Sequence, residues 1–335
     1  MTDLSLLTQP VARQLPVTMR AALSGPAADR RPRVGELPVP APVSGQVLIR
    51  VRAVGLERAD LNGDRRRATT AGPRVPGVEA VGVVVACPGR ELRVGAQVAA
   101  LLDDAQGGGC AEYLCVPVTQ AISFFSELPW AVLGSIPRVV RTAYGSLAFG
   151  LDARAGQSVL IRGGSGAVGL AAVALARRQG LTVLATTRTP GDTLALRRAG
   201  AHHVLLDGGA VADTVRELIP GGVHSALLLN GTGTLRDTLC ATRIHGVVCC
   251  VGGLSEPARV PGFDPADFLP PGVRLTGYRG RSSDLPPIVL QEFLDAVAAG
   301  DLAVPAERVF RLDEIGAAHR YLESGRITDR TVVLS

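Results

Sequence analysis

The sequence predicts an α/β protein in which a doubly wound parallel sheet is joined to an all-β unit. Three observations predict this fold class. Short strand-like runs separated by turns occupy the chain from about residue 20 to residue 118. Strand and helix patterns then alternate from residue 157 to about residue 280, as in a parallel sheet with crossover helices. A glycine-rich turn separates the first strand of this second part from its helix.

The all-β unit is predicted to be a β-barrel of short strands. Runs of β-type residues bounded by glycine and proline are typical of such a unit. Its clearest strands are VLIRVRAVG, VEAVGVVVA and AQVAALL. We interpret residues 1–19 as an N-terminal extension and the proline-rich segment EPARVPGFDPADFLPPG as a loop.

One helix is predicted to connect the two parts. Ser126 is a candidate N-cap, Pro129 fits the first turn, and helical spacing continues toward Tyr144. The parallel sheet follows, and after it the chain returns to helix in PIVLQEFLDAVAAG and DEIGAAHRYLESG and closes with the strand RTVVLS. The strands predicted for the parallel sheet are SVLIR, TVLAT, HVLL, SALLL, VVCCVG and VRLTGY.

The strongest local signal is a GxGxxG turn that follows the strand ending at Arg162. An apolar helix face comes directly after the turn, and Gly180 stands where that helix needs a positive φ to end. Glycines allow a tight turn, a close approach of backbone to a pyrophosphate and close helix–strand packing, while the helix N-terminus offers N–H groups to the anion. A lone GxGxxG is weak in a glycine-rich chain, but this context predicts dinucleotide binding. The candidate phosphate-binding residues are Gly164, Gly166, Ala167, Val168 and Gly169.

The tip of the next strand bears on the choice of nicotinamide cofactor. NAD sites usually place an acid there, about 20 residues after the glycines, to accept a hydrogen bond from the ribose 2′-hydroxyl. The tip reads Thr186-Thr187-Arg188-Thr189, without a carboxylate. A guanidinium beside hydroxyl groups matches a 2′-phosphate. Thr187 and Arg188 therefore favour NADPH over NADH, the alternative being an exposed loop arginine without a ligand.

The composition excludes several classes of protein. All 35 basic residues are arginine, which rules out a P-loop lysine, a Schiff-base lysine and a lysine general base. A net charge of +5, and one dense basic cluster at residues 65–67 without aromatic neighbours, do not indicate nucleic-acid binding. No apolar run approaches the ~20 residues of a membrane span, and the N-terminus lacks a secretory signal pattern. We expect a cytoplasmic protein whose six cysteines are buried, reduced thiols.

Several motifs spread along the chain occur in the order of one known family: VLIRVRAVGLERADL, VPGVEAVGVVVA, VGAQVAAL, GGGCAEYLCVP, RTAYGSL, GGSGAVG, CCVGGLS and AAHRYLESGRITDRTVVLS. On these motifs the chain resembles the medium-chain dehydrogenase/reductase superfamily, most closely its zinc-independent quinone oxidoreductase and enoyl reductase branch. The resemblance implies a GroES-like catalytic domain of residues 20–135 and 285–335, a Rossmann NADPH-binding domain of residues 136–284, and a substrate cleft between them.

The resemblance also implies roles for residues in the second half of the chain. Gly252 and Gly253 match the loop that passes beside the nicotinamide, and Arg330 matches a basic residue that can reach the 2′-phosphate. Relatives often place a lysine and a tyrosine as further phosphate contacts, where this chain has Asp192 and Asp207. Dimers in this family often pair the edge strands of the Rossmann sheets, so a homodimer through VRLTGY is expected.

The positions that hold zinc in the zinc-dependent members carry other residues here. Glu57 and Arg58 replace a Cys-His pair, Val78 replaces the histidine of a Gly-His-Glu segment, and the four-cysteine structural loop is absent. Since these positions offer no soft ligand, we expect no catalytic zinc. Without a Lewis acid, a conjugated acceptor is the easier substrate, because the enolate formed by hydride delivery spreads its charge. The expected reaction is reduction of an enone or a quinone, in one reading a tailoring step of secondary metabolism.

The proton donor for this reaction is not settled by the resemblance. Quinone reductases usually have an asparagine at the position of Glu57, and enoyl reductases often have a tyrosine at that of Ala68. The candidate catalytic residues are Glu57, if burial raises its pKa, Tyr144 as a donor and Asp60 as an orienting group. Each has a structural alternative: an ion pair with Arg58, a packed ring and a helix cap. Two other functions stay open, a cofactor-binding protein without redox turnover and, less favoured, an alcohol dehydrogenase.

Overall fold

The computed structural model describes residues 15–24, 32–56, 74–102, 107–251, 260, 262–305, 307–324 and 330–335. Within these ranges the strands form a two-stranded sheet, a seven-stranded sheet and a six-stranded sheet. The six-stranded sheet is parallel throughout, and the seven-stranded sheet is mostly antiparallel. The predicted α/β fold class is confirmed. None of the described helices is long and apolar enough to cross a membrane.

The first part of the molecule is built on one long central strand. This strand, β3, pairs antiparallel with β4 on one side and with β6 at its first half, and its buried side chains form an apolar core with those of β4 and β5. The strands β1 and β2 form the separate hairpin sheet. The bounds are β1 Thr18–Leu23, β2 Arg33–Pro38, β3 Gln46–Leu56, β4 Glu79–Ala86, β5 Gln97–Leu101, β6 Tyr113–Pro117 and β7 Ala121–Phe124.

The connection between the two parts contains two helices where the sequence predicted one. The first, α1, covers Trp130–Gly134, and the second, α2, covers Pro137–Gly145 and continues into a wider helical turn at Ser146–Gly150. Pro137 has no backbone N–H to donate to the preceding turn, so the first helix ends before it and a new one starts at it. The prediction of Ser126 as N-cap was wrong: Pro129 occupies that position, and the Ser126 hydroxyl accepts from the N–H of Leu128.

The second part is a doubly wound sheet with strand order β10-β9-β8-β11-β12-β13. The chain moves outward from β8 in one direction and then in the other, so a crevice opens at the carboxyl end of β8, the usual ligand site of such sheets. The short helix α7 lies in the segment predicted as a loop, and the Asp264 side chain caps it by accepting from the N–H of Ala266. The bounds are β8 Ser158–Arg162, α3 Ala167–Arg178, β9 Thr182–Thr187, α4 Thr193–Ala199, β10 His203–Leu206, α5 Ala212–Leu218, β11 Val223–Leu228, α6 Leu235–Cys240, β12 Thr242–Val251, α7 Pro265–Phe268 and β13 Arg274–Tyr278.

The end of the chain returns to the sheet of the first part. The last strand, β15, pairs antiparallel with β3 and parallel with β14, an edge strand that the sequence did not predict. This pairing places β14 and β15 in the same sheet as β3 to β7 of the first part; the exact domain boundaries stay a prediction. The bounds are α8 Pro287–Ala298, β14 Glu307–Arg311, α9 Ile315–Glu323 and β15 Arg330–Leu334.

His319 in α9 makes the stability of this fold depend on pH. Its side chain is 3% exposed, and burial lowers its pKa to about 4 although Glu323 on the same helix acts in the opposite direction. In the unfolded chain a histidine titrates near pH 6.5. Between these two values the unfolded state binds a proton that the folded state excludes, so stability is full above pH 6.5 and is lost as the pH falls.

We expect the free energy of unfolding of the wild type to fall between pH 7 and pH 5 by about 2 kcal/mol more than that of His319→Leu. Urea denaturation at the two pH values measures the difference. The control is His245→Asn at an exposed histidine, which keeps the wild-type dependence. An equal loss for the wild type and His319→Leu would contradict the assignment.

Candidate functional site

The glycine turn connects β8 to α3, and close backbone contacts explain two of its glycines. The backbone N–H of Gly164 donates to the carbonyl of Thr186 at 2.9 Å, which holds the turn against β9. A Cβ atom on Gly169 would lie 2.4 Å from the carbonyl oxygen of Gly163, and one on Gly164 would be 3.1 Å from the Cβ of Ala185. These two glycines therefore allow the helix and the neighbouring strand to pack onto the turn.

Gly166 has no such packing reason to be glycine. It is the N-cap residue of α3, its φ of −72° suits any residue, and a Cβ there would meet only the carbonyl oxygen of Gly163, at an ordinary 3.6 Å. The space above it is open at the end of a helix whose first N–H groups, on Ala167, Val168 and Gly169, have no partner within the helix. Open space beside unpaired donors fits an anion that approaches the backbone closely. The turn therefore fits a dinucleotide pyrophosphate.

This difference between the two glycines can be tested. We expect the free energy of unfolding of Gly166→Ala to lie within about 1 kcal/mol of the wild-type value, because an alanine N-cap costs no more than that. Dinucleotide affinity should drop by more than ~10-fold. Gly169→Ala should lose up to about 3 kcal/mol of stability, because its methyl group meets backbone. Urea denaturation and cofactor titration measure the two effects. Gly233→Ala, with no atom near its Cβ position, is the control; unchanged affinity in Gly166→Ala would sink the interpretation.

A buried ion cluster lies directly beneath the turn. The Arg162 side chain is fully buried at the end of β8. It donates two hydrogen bonds to Asp207, from Nη2 to Oδ1 at 2.5 Å and from Nε to Oδ2 at 3.0 Å. A third hydrogen bond runs from Nη1 to Asp237 Oδ2 at 2.5 Å. Burial opposes ionisation of Asp207, but hydrogen bonds from Arg162, Gly209 and Thr186 outweigh it, so the pKa of this carboxyl is lowered. The Asp207 carboxylate is thus charged near neutral pH, and it lies with the Asp237 carboxylate against the guanidinium.

The cluster is linked to the turn by hydrogen bonds. The hydroxyl of Thr186 donates to Asp207 Oδ2 at 3.0 Å and accepts from the N–H of Gly163 at 3.2 Å. The sequence patterns did not predict this cluster. Its signal was an arginine at the end of an otherwise apolar buried strand, together with an aspartate at the end of β10.

We expect Arg162→Met to lose about 3–5 kcal/mol of stability, because it leaves the carboxylates of Asp207 and Asp237 without their cation. Equilibrium urea denaturation measures the loss, and the triple change Arg162→Met, Asp207→Asn, Asp237→Asn should recover much of it. The matched control is Arg154→Met, which breaks an exposed pair with Asp152 and should cost at most about 1 kcal/mol. An Arg162→Met protein as stable as this control would contradict a structural role of the cluster.

The tip of β9 carries the residues predicted to contact the cofactor ribose. Thr187 is buried, and Arg188 is exposed just beyond the strand. The prediction that no carboxylate is present at this tip was wrong. Asp192, five residues after Thr187, accepts from the Thr187 hydroxyl at 3.0 Å. The chain folds back through a short helical turn, which sequence spacing alone did not indicate.

Arg330 lies at the junction of the two parts. Its Nη2 atom is 3.6 Å from Oε1 of Glu79, whose other oxygen accepts from the N–H of Arg138 at the start of α2. Arg330 also lines a mostly apolar cavity together with Ala167, the first residue of α3. This placement puts a guanidinium beside the helix that follows the glycine turn; contact with the cofactor stays a prediction.

The structure places only some of the predicted catalytic residues. Tyr144 lies on α2, half-buried, with its ring edge-on to Phe149 at a centroid distance of 6.3 Å. Its role as a proton donor stays a prediction. The other predicted residues, Glu57, Asp60, Gly252 and Gly253, lie outside the described residues. Among the described residues no cluster of His, Cys, Asp or Glu could hold a metal ion. The prediction that all six cysteines are buried was wrong: Cys240 is exposed, and Cys115 and Cys250 are only partly buried.

The fold and the turn are typical of dehydrogenases that bind a dinucleotide at a doubly wound sheet. Two family models match the chain: "Alcohol dehydrogenase GroES-like domain" over residues 43–126 and "Zinc-binding dehydrogenase" over residues 167–296.

Curated relatives carry oxidoreductase names. The quinone oxidoreductase of Pongo abelii is 31% identical over 50% of this chain and 52% of its own length. The 2-haloacrylate reductase of a Burkholderia species is 32% identical over 53% and 55%. The chain thus spans about half the length of these two relatives. The probable quinone oxidoreductase of Schizosaccharomyces pombe is 25% identical over 94% of this chain and 96% of its own.

Solved structures match over nearly the whole chain. AibC superposes with a TM-score of 0.82 at 26% identity, covering 95% of this chain and 96% of that one. The mycobacterial protein Rv1454c, solved in complex with NADPH, has a TM-score of 0.77 at 26% identity, with 95% and 100% covered. The chain belongs to the medium-chain dehydrogenase/reductase superfamily, in its quinone oxidoreductase branch.

Proposed function

We propose that this protein is an NADPH-dependent, zinc-independent oxidoreductase that delivers hydride to a conjugated acceptor, an enone or a quinone. The observation that carries the proposal is the open face at Gly166, beside the unpaired N–H groups of α3 and one strand away from Arg188. The names of the curated relatives and the NADPH complex of Rv1454c support it.

Different residues of the chain bind different parts of the cofactor. The backbone of Gly164, Gly166, Ala167, Val168 and Gly169 binds the pyrophosphate, and Thr187 and Arg188 receive the adenosine ribose with its 2′-phosphate. Arg330 adds a second guanidinium for a phosphate oxygen, and Gly252 and Gly253 flank the nicotinamide. The bound cofactor supplies the hydride; the protein fixes its position relative to the acceptor.

The residues at the zinc positions of relatives favour a conjugated acceptor. Val78 is an apolar, buried residue in the structure, and Glu57 and Arg58 offer no soft ligand. A carbonyl that is polarised only by hydrogen-bond donors accepts hydride well when the resulting charge is delocalised. The enolate then needs a proton, for which Glu57, Asp60 and Tyr144 are the candidates that this chain offers.

The proposal extends to the organisation of the protein. Residues 20–135 and 285–335 form the catalytic domain, and residues 136–284 form the NADPH-binding domain. The strand β13 lies at the edge of the parallel sheet and can pair with a second copy in a homodimer. A cytoplasmic tailoring role in secondary metabolism is consistent with a diverged proton donor.

Turnover tests the proposed function directly. Purified protein with NADPH should consume the cofactor, followed at its near-ultraviolet absorbance, when 1,4-quinones or enones are added, and far more slowly with simple ketones. The reason is the absence of a Lewis acid to polarise an isolated carbonyl. Turnover of simple ketones but not of enones or quinones would refute the proposal. NADPH binding without turnover across a broad panel would favour a binding protein instead.

A further inference from the structure

The tip of β9 presents two opposite charges to the proposed ribose site. Arg188 is exposed beyond the strand, and the carboxylate of Asp192 lies at the Thr187 hydroxyl, 3.0 Å from Oδ2 to Oγ1. Sequence spacing placed only the arginine at this tip, although the family resemblance put Asp192 where relatives contact a phosphate. Which charge acts on the cofactor therefore depends on where the Asp192 carboxylate lies relative to the glycine turn.

Hydrogen bonds connect this carboxylate to the turn. The Thr187 hydroxyl oxygen is 3.2 Å from that of Ser165, which stands inside the GxGxxG segment, and it accepts from the N–H of Thr189 at 3.1 Å. Asp192 is thus one side chain removed from the turn, on the side of the β9 tip. In a doubly wound sheet this gap between the turn and the next strand receives the adenosine ribose.

The Asp192 side chain is not used as a helix cap. The residue occupies the N-cap position of α4, but its carboxylate makes no capping hydrogen bond to that helix. Among the described residues, the Asp192 carboxylate accepts a hydrogen bond only from the Thr187 hydroxyl, through Oδ2, and it forms no ion pair with an arginine. The second oxygen, Oδ1, keeps its acceptor capacity for a ligand hydroxyl.

We propose that Asp192 is a specificity-determining residue that opposes Arg188, so that the site discriminates weakly between NADPH and NADH. The proposal rests on the proposed function, since it concerns the same cofactor site. A carboxylate accepts a hydrogen bond from the ribose 2′-hydroxyl of NADH and repels a 2′-phosphate, which carries nearly two negative charges. Arg188 acts in the opposite sense, because its guanidinium pairs with the phosphate.

The test compares the Kd values of NADPH and NADH in wild type and Asp192→Asn, by fluorescence titration at low ionic strength. Asparagine keeps an acceptor for the Thr187 hydroxyl and removes the charge. The ratio of NADH to NADPH dissociation constants should rise at least ~10-fold, mainly through tighter NADPH binding, and the gain should shrink in high salt. Arg188→Ala should move the ratio in the opposite direction, by more than ~10-fold. Asp213→Asn, an exposed acid on α5 with the same change of net charge, is the control.

The possible results separate failure of this inference from failure of the proposed function. If both cofactors bind and Asp192→Asn leaves their ratio unchanged, Asp192 has only a structural role and the inference is overturned. If the wild type binds neither cofactor, the proposed function fails, and the inference with it. Should Asp192→Asn fold poorly by circular dichroism, Asp192→Ser replaces it with a small neutral acceptor and should give the same shift.

Discussion

A charged arginine inside the parallel sheet is the constraint on which the rest of the nucleotide site depends. Arg162 ends the central strand β8 with its guanidinium fully buried, and a buried cation is tolerated only when carboxylates and hydrogen bonds compensate it. Asp207 from the end of β10 and Asp237 from α6 supply that compensation. The three groups tie together the carboxyl end of the sheet, where the chain leaves β8 to form the glycine turn.

The proposed ribose site is connected to the same ion cluster through β9. Thr186 links the ion cluster to the start of the turn, and its neighbour Thr187 links the turn at Ser165 to Asp192. Two successive threonines on β9 thus point to opposite sides, as adjacent residues of a strand do. Thr186 supports the backbone of the glycine turn, and Thr187 positions the Asp192 carboxylate at the proposed ribose site. The support of the turn and the proposed choice of cofactor thus rest on different side chains.

Local patterns in the sequence were sufficient for most of the elements. The strand ending at Arg162, the helix after the turn and the left-handed Gly180 follow from period, turn residues and helix-ending chemistry, and the structure confirms them. These local patterns do not predict contacts between residues that are far apart in the sequence. In the ion cluster, Asp207 and Asp237 follow Arg162 by 45 and 75 positions in the sequence. Asp192 contacts Thr187 through a short turn whose conformation depends on packing. The linker helix was predicted as one because its apolar spacing continues across Pro137.

The central claim is that the glycine turn, supported by Arg162, receives the pyrophosphate of a nicotinamide dinucleotide. A crystal structure of the protein with NADPH bound tests it most directly. The account predicts pyrophosphate oxygens within hydrogen-bond distance of backbone N–H groups at the start of α3, over Gly166, and the 2′-phosphate at the Arg188 guanidinium. Density for the cofactor in another part of the molecule, with the space over Gly166 left to solvent, would contradict it.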